Sequence, residues 1–195
     1  MTVAQAAQIL RDRTTACVIY PTETVYGLAA DALTPAAVER VFELKGRARD
    51  RPISLAVPNL DAVDEYARPT DRERAFMAEF LPGPVTVVVE RRDVVPDVLT
   101  AGADRVGIRI PDHPTALALL DRVAPLTATS ANRSGAGSAR RVEAVAASVR
   151  DAADFVLDEG TTPGTESTVV DVTAGTIHRR GALAEEIEAW LAAAE

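Results

Sequence analysis

The sequence predicts an α/β fold, a mostly buried open sheet with flanking helices, on three observations. Short β-branched and apolar runs alternate along the chain with segments whose apolar residues recur at helical spacing. The chain has 195 residues, 47% of them hydrophobic, which suffices for one good core and falls short of two. Finally, five strand-end or loop segments are unusually polar for their setting: Pro21 to Tyr26, Lys45 to Pro52, Arg105 to Arg109, Thr129 to Ser138 and Thr165 to Thr168. Open sheets carry their ligands at such positions. With no internal repeat, low-complexity tract or linker, residues 1–195 are expected to form a single domain.

Val3 to Arg13 has helical spacing, and Ala16 to Tyr20 reads as a buried strand ending at Pro21. Thr34 followed by Pro35 starts a helix, with a side-chain cap from Thr34 and a proline at the first helical position, and Val38, Val41, Phe42 and Leu44 mark its buried face. Lys45 falls near its end, Gly46 stops it, and Arg47 to Arg51 form a basic loop before a short strand, Ile53 to Val57. Helices are expected over Leu60 to Ala67 and over Asp71 to Phe80, the second capped by Thr70. Leu81 to Pro84 is a turn, and Val85 to Glu90 and Val106 to Ile110 are strands. Pro114 to Val123 and Val142 to Val149 read as helices, with Leu126 to Ser130 and Phe155 to Leu157 extended. Strands over Ser167 to Val172 and Thr176 to His178 precede an amphipathic helix, Leu183 to Ala194, in which Trp190 packs.

A net charge of −8 argues against a surface that neutralises many phosphates, so any RNA contact would be local. No run of about twenty apolar residues appears, and the first residues lack the basic and apolar regions of a signal peptide, so a cytoplasmic protein without a membrane span is expected. Cys17, the single cysteine, lies in an apolar run and reads as an inert buried thiol. His113 and His178 are isolated, and neither CxxC nor HExxH occurs, so no metal site is expected among the side chains.

Among 21 basic residues only Lys45 is lysine. It opens Lys45-Gly46-Arg47-Ala48-Arg49-Asp50-Arg51, whose cations suit an anion, the Arg fork matching phosphate and Lys acting as a point charge. A solvated charged loop is the plainer account. In a chain of net −8, such a cluster sets up a local positive field. Neither GxxxxGK[ST] nor GxGxxG is present. Pro21-Thr22-Glu23-Thr24 places hydroxyls and a carboxylate on a turn, suited to a small ligand or simply to turn and cap bonding. Thr127 to Gly135 offers hydroxyls and an amide, fit for phosphate or for ordinary capping. Arg109, flanked by Ile108 and Ile110, needs a carboxylate partner if buried, and a structural acid or a ligand would serve equally.

Taken together, Pro21-Thr22-Glu23-Thr24-Val25-Tyr26-Gly27-Leu28, Lys45-Gly46-Arg47, Leu81-Pro82-Gly83-Pro84, Arg109-Ile110-Pro111, Ser130-Ala131-Asn132-Arg133-Ser134-Gly135 and Glu166-Ser167-Thr168-Val169-Val170-Asp171 resemble the YrdC-like family in order and spacing, across nearly the whole chain. The resemblance implies a YrdC-like twisted open mixed sheet with a concave ligand groove. It also implies a threonylcarbamoyl-AMP synthase, a nucleotidyltransferase that consumes ATP, L-threonine and bicarbonate or CO2 and releases pyrophosphate on the way to a tRNA modification. Mg2+ would accompany ATP, the product would pass to a tRNA threonylcarbamoyl transferase complex, and the chain would be of the short form. By the same resemblance, Lys45 and Arg47 are catalytic electrostatic groups. Arg47, Arg51, Asn132, Arg140 and Arg179 would contact ATP, and Thr24, Arg109, Ser130 and Ser167 would contact threonine.

Three positions depart from the family pattern. Ala56 stands where many relatives place His, Arg140 where many place Ser or Thr, and Arg180 where relatives have Pro, leaving either Arg179 or Arg180 as the nucleotide contact. A non-catalytic nucleotide- or RNA-binding paralogue, and an adenylate-forming enzyme for another amino acid, remain the alternatives.

Overall fold

The computed structural model describes residues 2–193. Nine strands and seven α-helices alternate among them: α1 (Val3–Asp12), β1 (Val18–Tyr20), β2 (Gly27–Ala29), α2 (Pro35–Lys45), β3 (Ser54–Ala56), α3 (Asp71–Phe80), β4 (Val85–Glu90), α4 (Asp97–Thr100), β5 (Arg105–Arg109), α5 (Pro114–Val123), β6 (Leu126–Ala128), α6 (Ala147–Arg150), β7 (Phe155–Val156), β8 (Thr168–Asp171), β9 (Thr176–Arg179) and α7 (Ala184–Ala193). Ala194, expected to end the last helix, and the ends of the expected domain, Met1 and Glu195, lie outside the described residues.

The strands form a three-stranded sheet, β2-β1-β7, and a six-stranded sheet, β6-β3-β5-β4-β8-β9, each mixing parallel and antiparallel pairs. Backbone bonds stitch the two together along β2 and β6: Leu28 donates to Thr129 at 2.8 Å, Thr127 to Ala30 at 2.9 Å and Ala131 to Tyr26 at 2.7 Å. The Thr127 hydroxyl lies in this seam, accepting from the Ala30 N–H and donating to the Leu28 carbonyl, both at 3.0 Å.

Strand periodicity divides the apolar residues between two faces. Val18 and Tyr20 pack with Ala6, Ala7 and Leu10 of α1 and Leu119 and Leu120 of α5, while Cys17 and Ile19 join the larger core of α2, α3 and α7. Burial pushes the Cys17 thiol up to about 11, keeping it protonated and unreactive near neutrality.

Local chemistry explains the helix ends. Thr2 and Thr70 each form a reciprocal capping box, with Gln5 and Glu73, and Pro35 and Pro114 open α2 and α5, where a missing N–H costs nothing. Gly46 ends α2 in the left-handed region at φ 56°, which suits a residue without Cβ.

Several elements differ from expectation. Leu60 to Ala67 is a 3-10 helix over Asp61–Glu65, whose three acidic residues leave little apolar face. Val142 to Val149 breaks into a 3-10 turn at Val142–Ala144 and the short α6, Val145 being extended and Ala146 non-helical between them. The strand β2 follows the Pro21 to Thr24 turn where no element is expected, and α4 is a single turn too short to carry a periodic signal.

Candidate functional site

Lys45 is the last residue of α2, and its place follows from helical spacing. Val38, Val41, Phe42 and Lys45 recur on one face, so the core that buries the first three also buries the lysine, 2% exposed. An ammonium so placed must find acceptors. Nζ donates to the backbone carbonyls of Ser130 at 2.5 Å and Asn132 at 2.8 Å and to Asn132 Oδ1 at 3.3 Å. In return Ser134 N–H donates to the Lys45 carbonyl at 2.8 Å. Ser130 Oγ also donates to Asn132 Oδ1, and Asn132 Nδ2 donates to the Arg133 carbonyl at 2.9 Å. One lysine thus holds the 130–134 loop against the end of α2. Burial, then the neighbouring Arg47 charge, push its pKa down from 10.5 to about 8, with Glu166 opposing them.

Arg47 follows in the bend after Gly46. Its Nε donates to the Arg51 carbonyl at 2.9 Å and its Nη2 to the Pro52 carbonyl at 2.8 Å, which fixes the guanidinium plane on its own loop. Partial burial, then Arg51 and Arg179, lower its pKa. Like charges brought this close require a counter-anion to be favourable, the arrangement expected of a polyphosphate site.

Arg179 ends β9, and its direction is set by Ser167. Nε donates to the Ser167 carbonyl at 3.0 Å and Nη2 to Ser167 Oγ at 2.8 Å, with Glu166 at 3.3 Å. Burial lowers its pKa, Glu166 raises it, and Arg109 lowers it again, so the chain of cations runs on to β5. Arg180 points elsewhere and pairs with Glu188 of α7, so Arg179 is the one that joins the cluster. Gly181 makes the close approach of the chain here possible: a Cβ on it would lie 2.2 Å from the Glu166 carbonyl oxygen.

Arg109, 8% exposed, meets a structural acid. Its Nη2 donates to Glu23 Oε1 and to Thr24 Oγ1, both at 2.8 Å, and Thr24 Oγ1 lies 2.9 Å from Thr22 Oγ1. Thr24 and Ser167 are both buried. Gly164 N–H donates to the Thr24 carbonyl at 2.6 Å, and Arg140 lies over Gly164 with its Nε donating to the Thr162 carbonyl at 3.1 Å. Arg140 is thus tied to the loop that crosses above Thr24.

The structure therefore brings Lys45, Arg47, Arg51, Ser130 and Asn132 together at one end, and Thr24, Arg109, Ser167 and Arg179 at the other, with Glu166 acting on both Lys45 and Arg179. Two acids in this cluster, Glu23 and Glu166, have no role of their own in the sequence reading, although it notes the Glu23 carboxylate on its turn. Both sit inside motifs recognised mainly for other residues, and their pairing with Arg109 and Arg179 shows what each does. Ala56 is fully buried in the α1/α5 core, alongside Arg109 in the β3/β5 register. Two surface hollows, one beside Arg141, Glu143 and Asp158 and one beside Arg72, Thr176 and Leu191, contain none of these residues. The chemistry is instead carried on the converging loops.

The Sua5/YciO/YrdC family model, described as telomere recombination, matches residues 13–181. The chain belongs to this family. A threonylcarbamoyl-AMP synthase of Pyrococcus abyssi is 41% identical over 159 residues, 80% of this chain and 47% of that protein. One of Shigella boydii is 33% identical over 183 residues, covering 92% of this chain and 95% of the relative. The solved structure of P. abyssi Sua5 complexed with L-threonine superposes with a TM-score of 0.90 at 38% identity, over 96% of this chain and 56% of that one. Escherichia coli YciO, at 23% identity and a TM-score of 0.83 over 92% of this chain and 89% of its own, shares the fold. The chain spans about half the length of several curated relatives it matches.

Among the described residues, no helix of this Sua5/YciO/YrdC member is long and apolar enough to cross a membrane, and no three His, Cys, Asp or Glu side chains are grouped to hold a metal ion.

Proposed function

We propose that this chain is a nucleotidyltransferase that forms threonylcarbamoyl-AMP from L-threonine, bicarbonate or CO2 and ATP, with release of pyrophosphate. The observation that carries the reading is Lys45, bonded to Ser130 and Asn132 where the loops meet and flanked by Arg47. Its support from outside the site is the family membership and the name shared by relatives across archaea and bacteria.

In this reading Arg47, Arg51 and Asn132 face ATP at the Lys45 end. They are joined by Arg179, whose charge acts on Arg47 from the other end, and by Arg140 from the loop above Thr24, while Thr24, Arg109, Ser130 and Ser167 face threonine. The threonine amine, in its neutral form, adds to CO2 and gives up a proton to solvent, leaving a carbamate. A carbamate oxygen then attacks the α-phosphorus as the bond to the β-phosphate oxygen breaks, pyrophosphate leaving with the electron pair. Negative charge grows on the transferred and leaving phosphates, where Lys45 and Arg47 stabilise it without a protein nucleophile. The inward groups are mainly cations, hydroxyls and an amide, a donor set for anions, and the carboxylates of Glu23 and Glu166 are each paired with an arginine, so Mg2+ would enter on the triphosphate and be held chiefly by phosphate oxygens. The product is labile and would be consumed by a transferase complex acting on tRNA adenosine in the cytoplasm, with at most a local RNA contact by this acidic chain.

The test is to incubate pure protein with ATP, Mg2+, bicarbonate and a panel of amino acids and to measure pyrophosphate and the adenylate. Threonine-dependent pyrophosphate is expected. Release with a different amino acid would replace threonine in the proposal, and nucleotide binding without any release would identify a non-catalytic member.

A further inference from the structure

The reaction above leaves both acids of this site, Glu23 and Glu166, without a task, and Glu23 is the one with an unsatisfied oxygen among the described residues. Its Oε1 accepts from Arg109, but its Oε2 is buried and meets no donor among the described residues. A carboxylate oxygen shut from water without a partner is costly, and such atoms call for an explanation. Its neighbours offer none: Thr24 Oγ1 is already shared between Arg109 and Thr22, and Thr22 Oγ1 donates to the Val25 carbonyl at 2.6 Å. The side chains of Arg109 and Glu23 are 10% and 14% exposed, so each is the other's main counter-charge.

We infer that the Arg109–Glu23 pair is a place-holder for an amino-acid zwitterion, which inserts between the two groups with its carboxylate on Arg109 and its ammonium on the orphaned Glu23 Oε2. In the free protein the Glu23 carboxylate stands where the ligand's carboxylate will stand. The inference rests on the amino-acid reading of this end of the site and assigns the discriminating role to Glu23. An acid lacking the amine would take Arg109 and leave Glu23 buried and unpaired, which is strongly disfavoured. An amine lacking the carboxylate would do the same to Arg109. Only a ligand carrying both charges at α-amino-acid spacing replaces what it breaks, so the pair rejects partial matches without filling the pocket with bulk.

Isothermal titration of wild type, Glu23→Gln and Glu23→Asp with L-threonine, with (R)-3-hydroxybutanoate, which lacks only the amine, and with threoninol, which lacks only the carboxylate, tests this. Wild type should prefer threonine to the hydroxy acid by about a hundredfold, and Glu23→Gln should shrink that preference by about tenfold or more. The hydroxy acid itself should bind Glu23→Gln more tightly than wild type, because Arg109 is no longer occupied, a gain that mere loosening of the turn would not produce. Glu23→Asp keeps the charge and should keep most of the preference, so it serves if the Gln variant folds poorly. An unchanged preference in Glu23→Gln overturns the inference alone, while a wild type that binds none of the three overturns the amino-acid site and this inference with it.

Discussion

Nucleotide binding should draw in a proton above pH 8, and Lys45 sets how much. Its pKa falls from 10.5 to about 8 because the fold buries the ammonium beside Arg47, a difference of roughly 3 kcal/mol against the charged form. A triphosphate on the Arg47 side reverses the balance by supplying the missing negative charge, returning Lys45 toward its ordinary value. At about pH 8.5 the free protein carries the proton on about a quarter of its Lys45 side chains, and a bound state restored to 10.5 carries it on nearly all. Binding then takes up about three-quarters of a proton per nucleotide. Because the bound form holds more protons than the free form, affinity weakens as pH rises from 8 toward 10.5, by at most about tenfold per unit. Cys17 and Tyr20, held up to about 11 and about 12, stay protonated over most of this window. Calorimetry of MgATP binding at that pH in two buffers of different ionisation enthalpy reads the uptake directly. Lys45→Arg, whose guanidinium does not titrate, should abolish it. Absence of uptake in wild type, or the same uptake in Lys45→Arg, would refute the placing of the triphosphate next to this lysine.

Arg47→Ala should lower turnover by about a hundredfold with an unchanged melting temperature, since the side chain bonds only to its own loop. Wild-type rates in the folded variant would remove it from the mechanism. Arg109→Ala should chiefly raise the threonine KM and also destabilise the protein by about 3 kcal/mol, because Glu23 loses its ion-pair partner. Full stability would show that Glu23 is satisfied some other way. Arg179→Ala should impair ATP use while Arg180→Ala, which loses only an exterior pair with Glu188, should leave the rate within about twofold. Equal losses in steady-state assays would overturn the distinction.

Where local rules suffice, the fold is legible in the sequence. Thr70 with Glu73, Pro35 at the start of α2, and Gly46 after Lys45 mark helix ends by short-range bonding and backbone geometry, and those ends fall as expected. The Thr34 hydroxyl, however, does not cap α2 and donates to Asp31 Oδ2 at 2.8 Å instead. The failures sit where neighbours along the chain do not decide. Val142 to Val149 has enough apolar residues for a helix, yet it includes a non-helical Val145–Ala146 link fixed by packing against the core. The three residues of β2 become a strand only because β1 and the β6 segment lie on either side. The site divides the same way. Lys45 stands out as the single ammonium in an arginine-rich chain, and Ser130 with Asn132 form a compact motif. The partner of Arg109 lies 86 residues earlier, so the choice between a structural acid and a ligand could not be made from Ile108-Arg109-Ile110. Likewise Arg179 and Arg180 are indistinguishable until Ser167 claims one and Glu188 the other.

The hydroxyl of Thr127 substitutes for main-chain bonding where two ladders meet, three residues before Ser130. Exchanging it for the equally sized valine would change neither volume nor hydrophobic contact, yet would strand an amide and a carbonyl in a place water does not reach. One oxygen atom at a joint thus helps determine whether the loop that answers Lys45 is rigid or slack, and catalytic precision would fail there before any substrate contact had been altered.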